Sequence, residues 1–153
     1  ASIAYKKGAK VILNPAPAPA GSLSPELLKC LYAIIPNETE AELISGVIVH
    51  DIDSAKKAAE VISAKGVEVV VITLGSMGAL IKDGDQYISV RANKVEAIDT
   101  TAAGDTFCGA LCVALSENMN IRDAVAFACK ASSITVTRMG AQSSIPFRRE
   151  LDS

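Results

Sequence analysis

The chain carries little that would commit it to nucleic acid, a membrane or a metal cluster. Its 15 Lys and Arg against 17 Asp and Glu leave a net charge of −2, which gives no reason to expect binding to nucleic acid or to an anionic lipid surface. No apolar run reaches the ~18 residues needed to span a bilayer. No long apolar stretch near the N-terminus has the form of a secretory leader. The four cysteines, Cys30, Cys108, Cys112 and Cys129, include no Cys-x-x-Cys pair, which argues against zinc-ribbon and thioredoxin-like readings. The single histidine, His50, stands between an apolar run and Asp51 and reads as a loop residue rather than a catalyst. There is no G-x-x-x-x-G-K-[ST] and no G-x-G-x-x-G, so a P-loop NTPase and a Rossmann dehydrogenase are both disfavoured.

What is present is a core. Half of the 153 residues are hydrophobic, enough for one domain and too many for a disordered chain. Cys108 and Cys112 are spaced i, i+4 on one expected helix. Two metal ligands can stand that way, but no third is evident, and buried free thiols in a reducing cytoplasm are expected. Ser2 to Gly8 read as the tail of a helix leading into a strand, as if the chain began in the middle of a fold. Lys6-Lys7, Lys56-Lys57 and Arg148-Arg149 read as solvated faces.

Periodicity divides the chain as follows. Lys10 to Leu13 is a short strand, followed by a proline-rich loop from Pro15 to Pro19. Ser24-Pro25 is a helix start, with Ser24 as N-cap and Pro25 at the first helical position. Leu31 to Ile35 is a second strand. Asn37 caps a helix to about Ser45, stopped by Gly46. Ala55, Ala58, Ala59 and Ile62 mark a helix from Ser54 to about Lys65, stopped by Gly66. Val67 to Thr73 is a β-branched run suited to a buried strand. Ala79–Lys82 and Gln86–Val90 flank Asp83-Gly84-Asp85, a hairpin signal. One helix runs to about Glu117; another, capped by Asn120, continues towards Thr137 and ends at Gly140. The alternation predicts an α/β layered domain of Rossmann type, with helices on both faces of a mainly parallel sheet and an antiparallel margin.

The stretch Ile98-Asp99-Thr100-Thr101-Ala102-Ala103-Gly104-Asp105-Thr106-Phe107 has the strongest chemical content. Two acids flank a run of small residues, and Phe107, Leu111, Ala114 and Leu115 then follow at helical spacing. Small residues let a ligand approach the backbone, and unpaired amides at a helix start attract anions. A carboxylate at Asp105 can accept a proton from a substrate hydroxyl while those amides hold the charge of a transferred group. The plain alternative is an acid that complements the helix dipole.

Other segments carry two readings as well. Asn37 with Glu40 three residues on is a capping-box pattern. Gly75 and Gly78 in Thr73-Leu74-Gly75-Ser76-Met77-Gly78 are ordinary turn punctuation, or let the backbone curve against a ligand beyond the carboxyl end of a strand. Asp99 reads as the cap of a turn.

Together these segments resemble the ribokinase family of carbohydrate kinases. Asp99 to Asp105 is similar to its D-T-x-x-A-G-D signature, Asn37-Glu38-Thr39-Glu40 to its N-x-x-E motif, and Thr73 to Gly78 to its nucleotide loop. Val136-Thr137-Arg138-Met139-Gly140-Ala141-Gln142 is similar to its cation-loop tail, and Asn14-Pro15-Ala16-Pro17 matches as well. The motifs keep the family's order from residue 1 to about residue 150. The resemblance implies ATP-dependent phosphoryl transfer to a sugar hydroxyl, with O5 of ribose as acceptor and deoxyribose or another pentose as alternatives. Asp105 would be the base, and the amides from Ala102 through Ala103 and Gly104 to Asp105 the anion hole. ATP would meet Asn37, Thr73, Leu74, Gly75, Ser76, Met77, Gly78, Gly104, Asp105 and, near the adenine, Cys129. Glu40 would act on Mg²⁺ through water. Asp99, the carbonyls of Thr101, Thr135, Arg138 and Gly140, and the hydroxyl of Ser144 would hold K⁺.

The family's domain is about twice as long, and its first half carries the sugar pocket, a paired-glycine motif and a lid. This chain has no Gly-Gly and ends at Ser153. The resemblance therefore implies a C-terminal, nucleotide-binding and catalytic half of a partial domain, residues 1–153, without its sugar-binding half. It would be cytoplasmic and nearly inert alone, or a non-catalytic nucleotide-binding fragment. Its partners would be ATP and a small sugar, with a homo-oligomer or the missing half beside it.

Overall fold

A computed structural model describes residues 1–18 and 23–152. Pro19, the end of the expected proline-rich loop, and Ser153 lie outside the described residues. The chain forms two compact units: residues 1–75 with 79–89, and residues 76–78 with 90–153. No linker marks the boundary in the sequence, because the chain crosses it three times within short turns and strand ends.

The first unit is built on a five-stranded sheet of order β1-β2-β3-β4-β5: β1 Ile12–Leu13, β2 Ala33–Ile34, β3 Val69–Thr73, β4 Ala79–Asp83 and β5 Gln86–Val90. The first three strands are parallel, with Ile12 opposite Ala33 and Ile34 opposite Val70. β4 runs antiparallel to β3, Thr73 facing Ala79, which is the expected antiparallel margin. β1 and β2 are shorter than the sequence implies. Their pairing nevertheless continues past the strand ends, Tyr32 N donating to Val11 O at 2.9 Å and Ile35 N to Leu13 O at 2.8 Å.

Two helices cover this sheet, α3 Glu38–Ser45 and α4 Ile52–Ser63, after the short α1 Ser2–Lys6 and α2 Pro25–Leu28. Ala55, Ala58, Ala59 and Ile62 of α4 are fully buried with Ile34, Val70, Ile72 and Leu80 of the sheet. Small alanines let the helix lie close to the β-branched strands. Ser24 and Asn37 cap α2 and α3 as expected, with Pro25 in the first turn of α2 and Gly46 in the left-handed conformation after α3.

The expected start of α4 at Ser54 is corrected. Asp51 is the cap: its Oδ1 accepts Ser54 N at 2.7 Å, and Ser54 Oγ accepts Asp51 N at 3.0 Å. Ser54 thus fills the third-residue role usually taken by Glu or Gln, so the helix begins two residues earlier, at Ile52. His50 lies in the turn ahead of it. Lys82 of β4 is 5 % exposed, and its Nζ donates to Gly84 O at 2.8 Å and meets Glu60 Oε2 at 3.0 Å. Burial opposes its charge, but Glu60 and Tyr87 more than offset this and hold it above the usual lysine value.

The second unit packs α5 Ala103–Ser116 against α6 Ile121–Thr135. Phe107, Leu111, Ala114 and Leu115, the expected apolar stripe, are all buried, as are Ala124, Val125, Ala128 and Ala131 of α6. α6 stops at Thr135 rather than running to Gly140. Beyond it the chain bends back to donate Arg138 N to Thr135 O at 3.1 Å, and Gly140 serves a separate turn at φ +92°. The stretch after β5 forms no strand but docks on the end of α6, Ile98 N donating to Val136 O at 2.7 Å.

Two further expectations are corrected. Cys112 is exposed and Cys108 half-buried rather than both being core thiols; Cys129 is the buried one. The i, i+4 spacing places two residues on one face but does not say which face is covered. Arg148 is not merely solvated: it pairs with Glu117 at 2.7 Å and Asp152 at 2.9 Å and lies over the Phe127 ring. No helix among the described residues is long and apolar enough to cross a membrane.

Candidate active site

In the first unit, three polar residues follow the carboxyl ends of the three parallel strands. Asn14 after β1 donates its Nδ2 to Ile35 O at 2.8 Å. Asn37, after β2, bridges to Thr73 at the end of β3, whose amide donates to Pro36 O at 3.0 Å. Ligands of open α/β sheets gather beyond this edge.

Asn37 and Glu40 form a complete capping box. Asn37 Oδ1 accepts Glu40 N and Glu40 Oε2 accepts Asn37 N, both at 2.9 Å. Glu40 is buried, and its Oε1 takes no part in the box. The loop that follows β3 mixes roles. Leu74 is a core residue, 1 % exposed, so only its backbone is available to a ligand, whereas Ser76 and Met77 are exposed. Gly75 has φ +51° and open space around it. Gly78 has φ +98°, and a Cβ there would stand 2.0 Å from Val90 O and 2.6 Å from Ala92 N. Packing alone therefore explains Gly78.

In the second unit, Ala102 is held in the left-handed conformation at φ +61° ahead of α5. For a residue with a side chain this costs about 1–2 kcal/mol. It turns the chain so that the helix starts without any side-chain cap. Ala103 N donates to Thr100 O at 3.2 Å and Thr106 N to Ala102 O at 2.9 Å. The Gly104 and Asp105 amides lie between them, in the first turn where helical acceptors are lacking. A Cβ on Gly104 would meet nothing within 4 Å. Neither a close neighbour nor a positive φ requires glycine there, and the space beside it is open. Asp105 is exposed in that same first turn.

α6 holds the turn in place. Ser132 Oγ donates to Ala103 O at 3.1 Å, and Thr135 Oγ1 lies 3.1 Å from Thr106 Oγ1. Asp99 braces the loop ahead of it, accepting Thr101 N at 2.9 Å on Oδ1 and Gly140 N at 3.0 Å on Oδ2. Hydrogen bonds from the Thr101 side chain, then from the Gly140 and Thr101 amides, hold its carboxyl below the usual range.

The fold thus brings Asp99, Thr101 and Gly140 together. The hydroxyl of buried Ser144 is turned to Ala141 O at 2.6 Å. The Arg138 guanidinium pairs with Glu150. Cys129 is buried in α6, which pushes its thiol up to about 11 and makes it a poor nucleophile. Sequence reasoning missed the Ser132 and Thr135 ties. Their only signal is two hydroxyls spaced i, i+3 near the C-terminal end of α6.

One unit therefore carries an uncapped helix start with a carboxylate in its first turn, and the other carries the carboxyl ends of three parallel strands. The sequence matches the pfkB family of carbohydrate kinases over residues 1–148, and the chain belongs to that family. Among its relatives, the ribokinase of Haemophilus influenzae is 51 % identical over 150 residues, covering 98 % of this chain and 48 % of that protein. The ribokinase of Staphylococcus aureus is 47 % identical over 151 residues, with 98 % and 49 % covered. Among solved structures, ribokinase from Thermotoga maritima superposes with a TM-score of 0.87 at 41 % identity, covering 98 % of this chain and 50 % of the other. Arabidopsis thaliana ribokinase, complexed with ribose and ATP, superposes with a TM-score of 0.91 at 30 % identity, covering 98 % and 48 %. The chain spans about half the length of the relatives it matches.

Proposed function

We propose that these residues are the nucleotide-binding and catalytic half of an ATP-dependent sugar kinase that transfers the γ-phosphoryl group to O5 of ribose. The observation that carries this reading is the uncapped first turn of α5, where Asp105 stands beside a glycine with open space around it. The relatives named as ribokinases, and the one solved with ribose and ATP, support the choice of substrates.

Asp105 takes the proton of the sugar hydroxyl as the oxygen attacks phosphorus. The Gly104 and Asp105 amides stabilise the charge on the transferring group, the Ala103 amide being taken by Thr100 O. Thr73 to Gly78 supply the nucleotide loop, with Leu74 contributing only backbone. Asn37 orders the β2–α3 connection near the phosphates. Glu40, with one oxygen beyond the box, would hold Mg²⁺ through the waters that ion keeps, and the ion would neutralise phosphate charge. Asp99 and the carbonyls around Gly140 suit a hard monovalent cation such as K⁺, which would order the same loop.

A coupled ADP-release assay on the protein as it occurs in the cell, with ribose, 2-deoxyribose and other pentoses, tests this. Ribose is expected to give the highest kcat/KM. ADP release with none of them would refute the kinase reading.

The half-length match favours a second reading for the 153 residues taken alone. They bind ATP weakly and phosphorylate no sugar at a useful rate, because orientation of the acceptor is worth ~7–11 kcal/mol of barrier. Calorimetry with ATP on the isolated chain, alongside the same coupled assay, tests it. Rapid ribose-dependent ADP release from that chain would overturn it.

A further inference from the structure

Asp105, Cys108 and Cys112 stand at i, i+3 and i+7 and share one face of α5. Phe107, Leu111, Ala114 and Leu115 occupy the covered side. Cys112 is exposed and Cys108 half-buried, and neither is in a disulfide. The phosphoryl-transfer reading uses neither thiol.

Successive turns of a helix place the two Cβ atoms ~5–6 Å apart. A disulfide needs Cβ atoms about 3.5–4.5 Å apart. The pair therefore cannot close on itself while α5 stays helical. Rotation about χ1 still lets both sulfurs reach a single atom between them. Burial pushes the Cys112 thiol above its ordinary value, which slows casual oxidation. A thiophilic atom can still displace the protons, because sulfur ligands select soft centres over hard ones.

We propose that Cys108 and Cys112 form a dithiol site for a thiophilic centre that needs only two protein ligands, a trivalent arsenical or a two-coordinate soft metal ion. No third protein ligand is required. With an organoarsenic(III) oxide, the bond from arsenic to oxygen is replaced by two As–S bonds. The two thiol protons leave with the oxygen as one water, and arsenic remains trivalent, so no oxidant or reductant takes part. The closed ring spans one turn of α5, on the face that carries Asp105 one turn earlier. Its organic substituent then obstructs access to that carboxylate. This last consequence, unlike the site itself, rests on the role proposed for Asp105.

The test uses phenylarsine oxide as probe on the reduced protein. Intact mass should show one arsenical added per chain, and titration with a chromogenic disulfide should show two fewer thiols. Excess dithiol should strip the adduct, and excess monothiol should not. Cys108→Ser and Cys112→Ser should each weaken capture by about 100-fold, since the second bond forms at high effective concentration only when both thiols are present. Cys30→Ser and Cys129→Ser should retain the adduct. Circular dichroism of each variant shows whether α5 is intact. Retention of the monothiol-resistant adduct in folded Cys112→Ser, or its loss in folded Cys129→Ser, would overturn the site. Arsenical should also lower the rate of sugar phosphorylation in the parent but not in Cys108→Ala/Cys112→Ala. A full adduct with an unchanged rate would uphold the dithiol and count against Asp105.

Discussion

Asp99 accepts the amide of Gly140 at 3.0 Å across 41 positions of sequence. Its other oxygen holds the amide of Thr101 at 2.9 Å. One carboxylate thus ties the loop ahead of α5 to the turn that follows α6. Hydrogen bonds from Thr101 and Gly140 keep its pKa below the unfolded value of about 3.9. Its contribution to stability is therefore present above about pH 4 and lost as pH falls through the folded value. Asp99→Asn, which turns an NH₂ towards one of two donors, should melt at lower temperature at pH 7. It should also lose less stability than the parent between pH 4 and pH 2.5. Thermal melts across that range check this; coincident curves for the two proteins would remove the brace.

Gly75 and Gly78 both have positive φ but differ in their surroundings. Alanine at Gly75 meets no neighbour, so only the left-handed conformation is penalised, by ~1–2 kcal/mol. Alanine at Gly78 also drives a Cβ into the backbone of Val90 and Ala92. The combined strain and overpacking should cost ~2–5 kcal/mol. Urea denaturation of the two variants should rank them in that order. Equal midpoints would mean the loop relaxes freely and that packing does not explain Gly78.

Much of this was legible in the sequence, and what was not has a physical cause. Caps are local, so Ser24, Asn37 and Asn120 could be read directly. The apolar stripe of α5 could be read because 3.6 periodicity is also local. Asp51 escaped because serine stood where a capping box usually has Glu or Gln. Partners distant in sequence left no trace: Lys82 with Glu60, Ser132 with Ala103, and Arg148 with Glu117 are fixed only by the fold. The motifs around Asn37, Thr73 and Asp105 were visible as patterns. That Gly78 is closely packed while Gly104 stands in open space depended on knowing what surrounds each one.

Glu40 can be tested against its own cap. Glutamine fits the capping box as well as glutamate, so Glu40→Gln should keep the parent's melting temperature. If Glu40 also acts on Mg²⁺ through water, the variant should need several-fold more Mg²⁺ for half-maximal rate. Asn37→Ala instead removes the acceptor of the Glu40 amide and should cost about 1 kcal/mol of stability. A Mg²⁺ titration of Glu40→Gln that overlays the parent would leave the box as the residue's whole function.

Asp105→Asn is the sharpest test of the site. The side chain is exposed in the first turn of α5, and no cap depends on it. The substitution should therefore leave the fold, and the packing of Phe107 and Leu111 beneath it, undisturbed. Asparagine keeps the shape and removes the basic oxygen. Loss of a general base lowers kcat by ~10²–10⁴-fold, whereas the helix amides remain. The expected result is a fall in kcat with the ATP dissociation constant changed by less than about threefold. If the carboxylate only complements the helix dipole, the variant should instead lose a few tenths of a kcal/mol of stability and turn over at close to the parent's rate. Steady-state kinetics with calorimetry on the same preparation separate the two, and near-parental kcat would remove Asp105 from the chemistry.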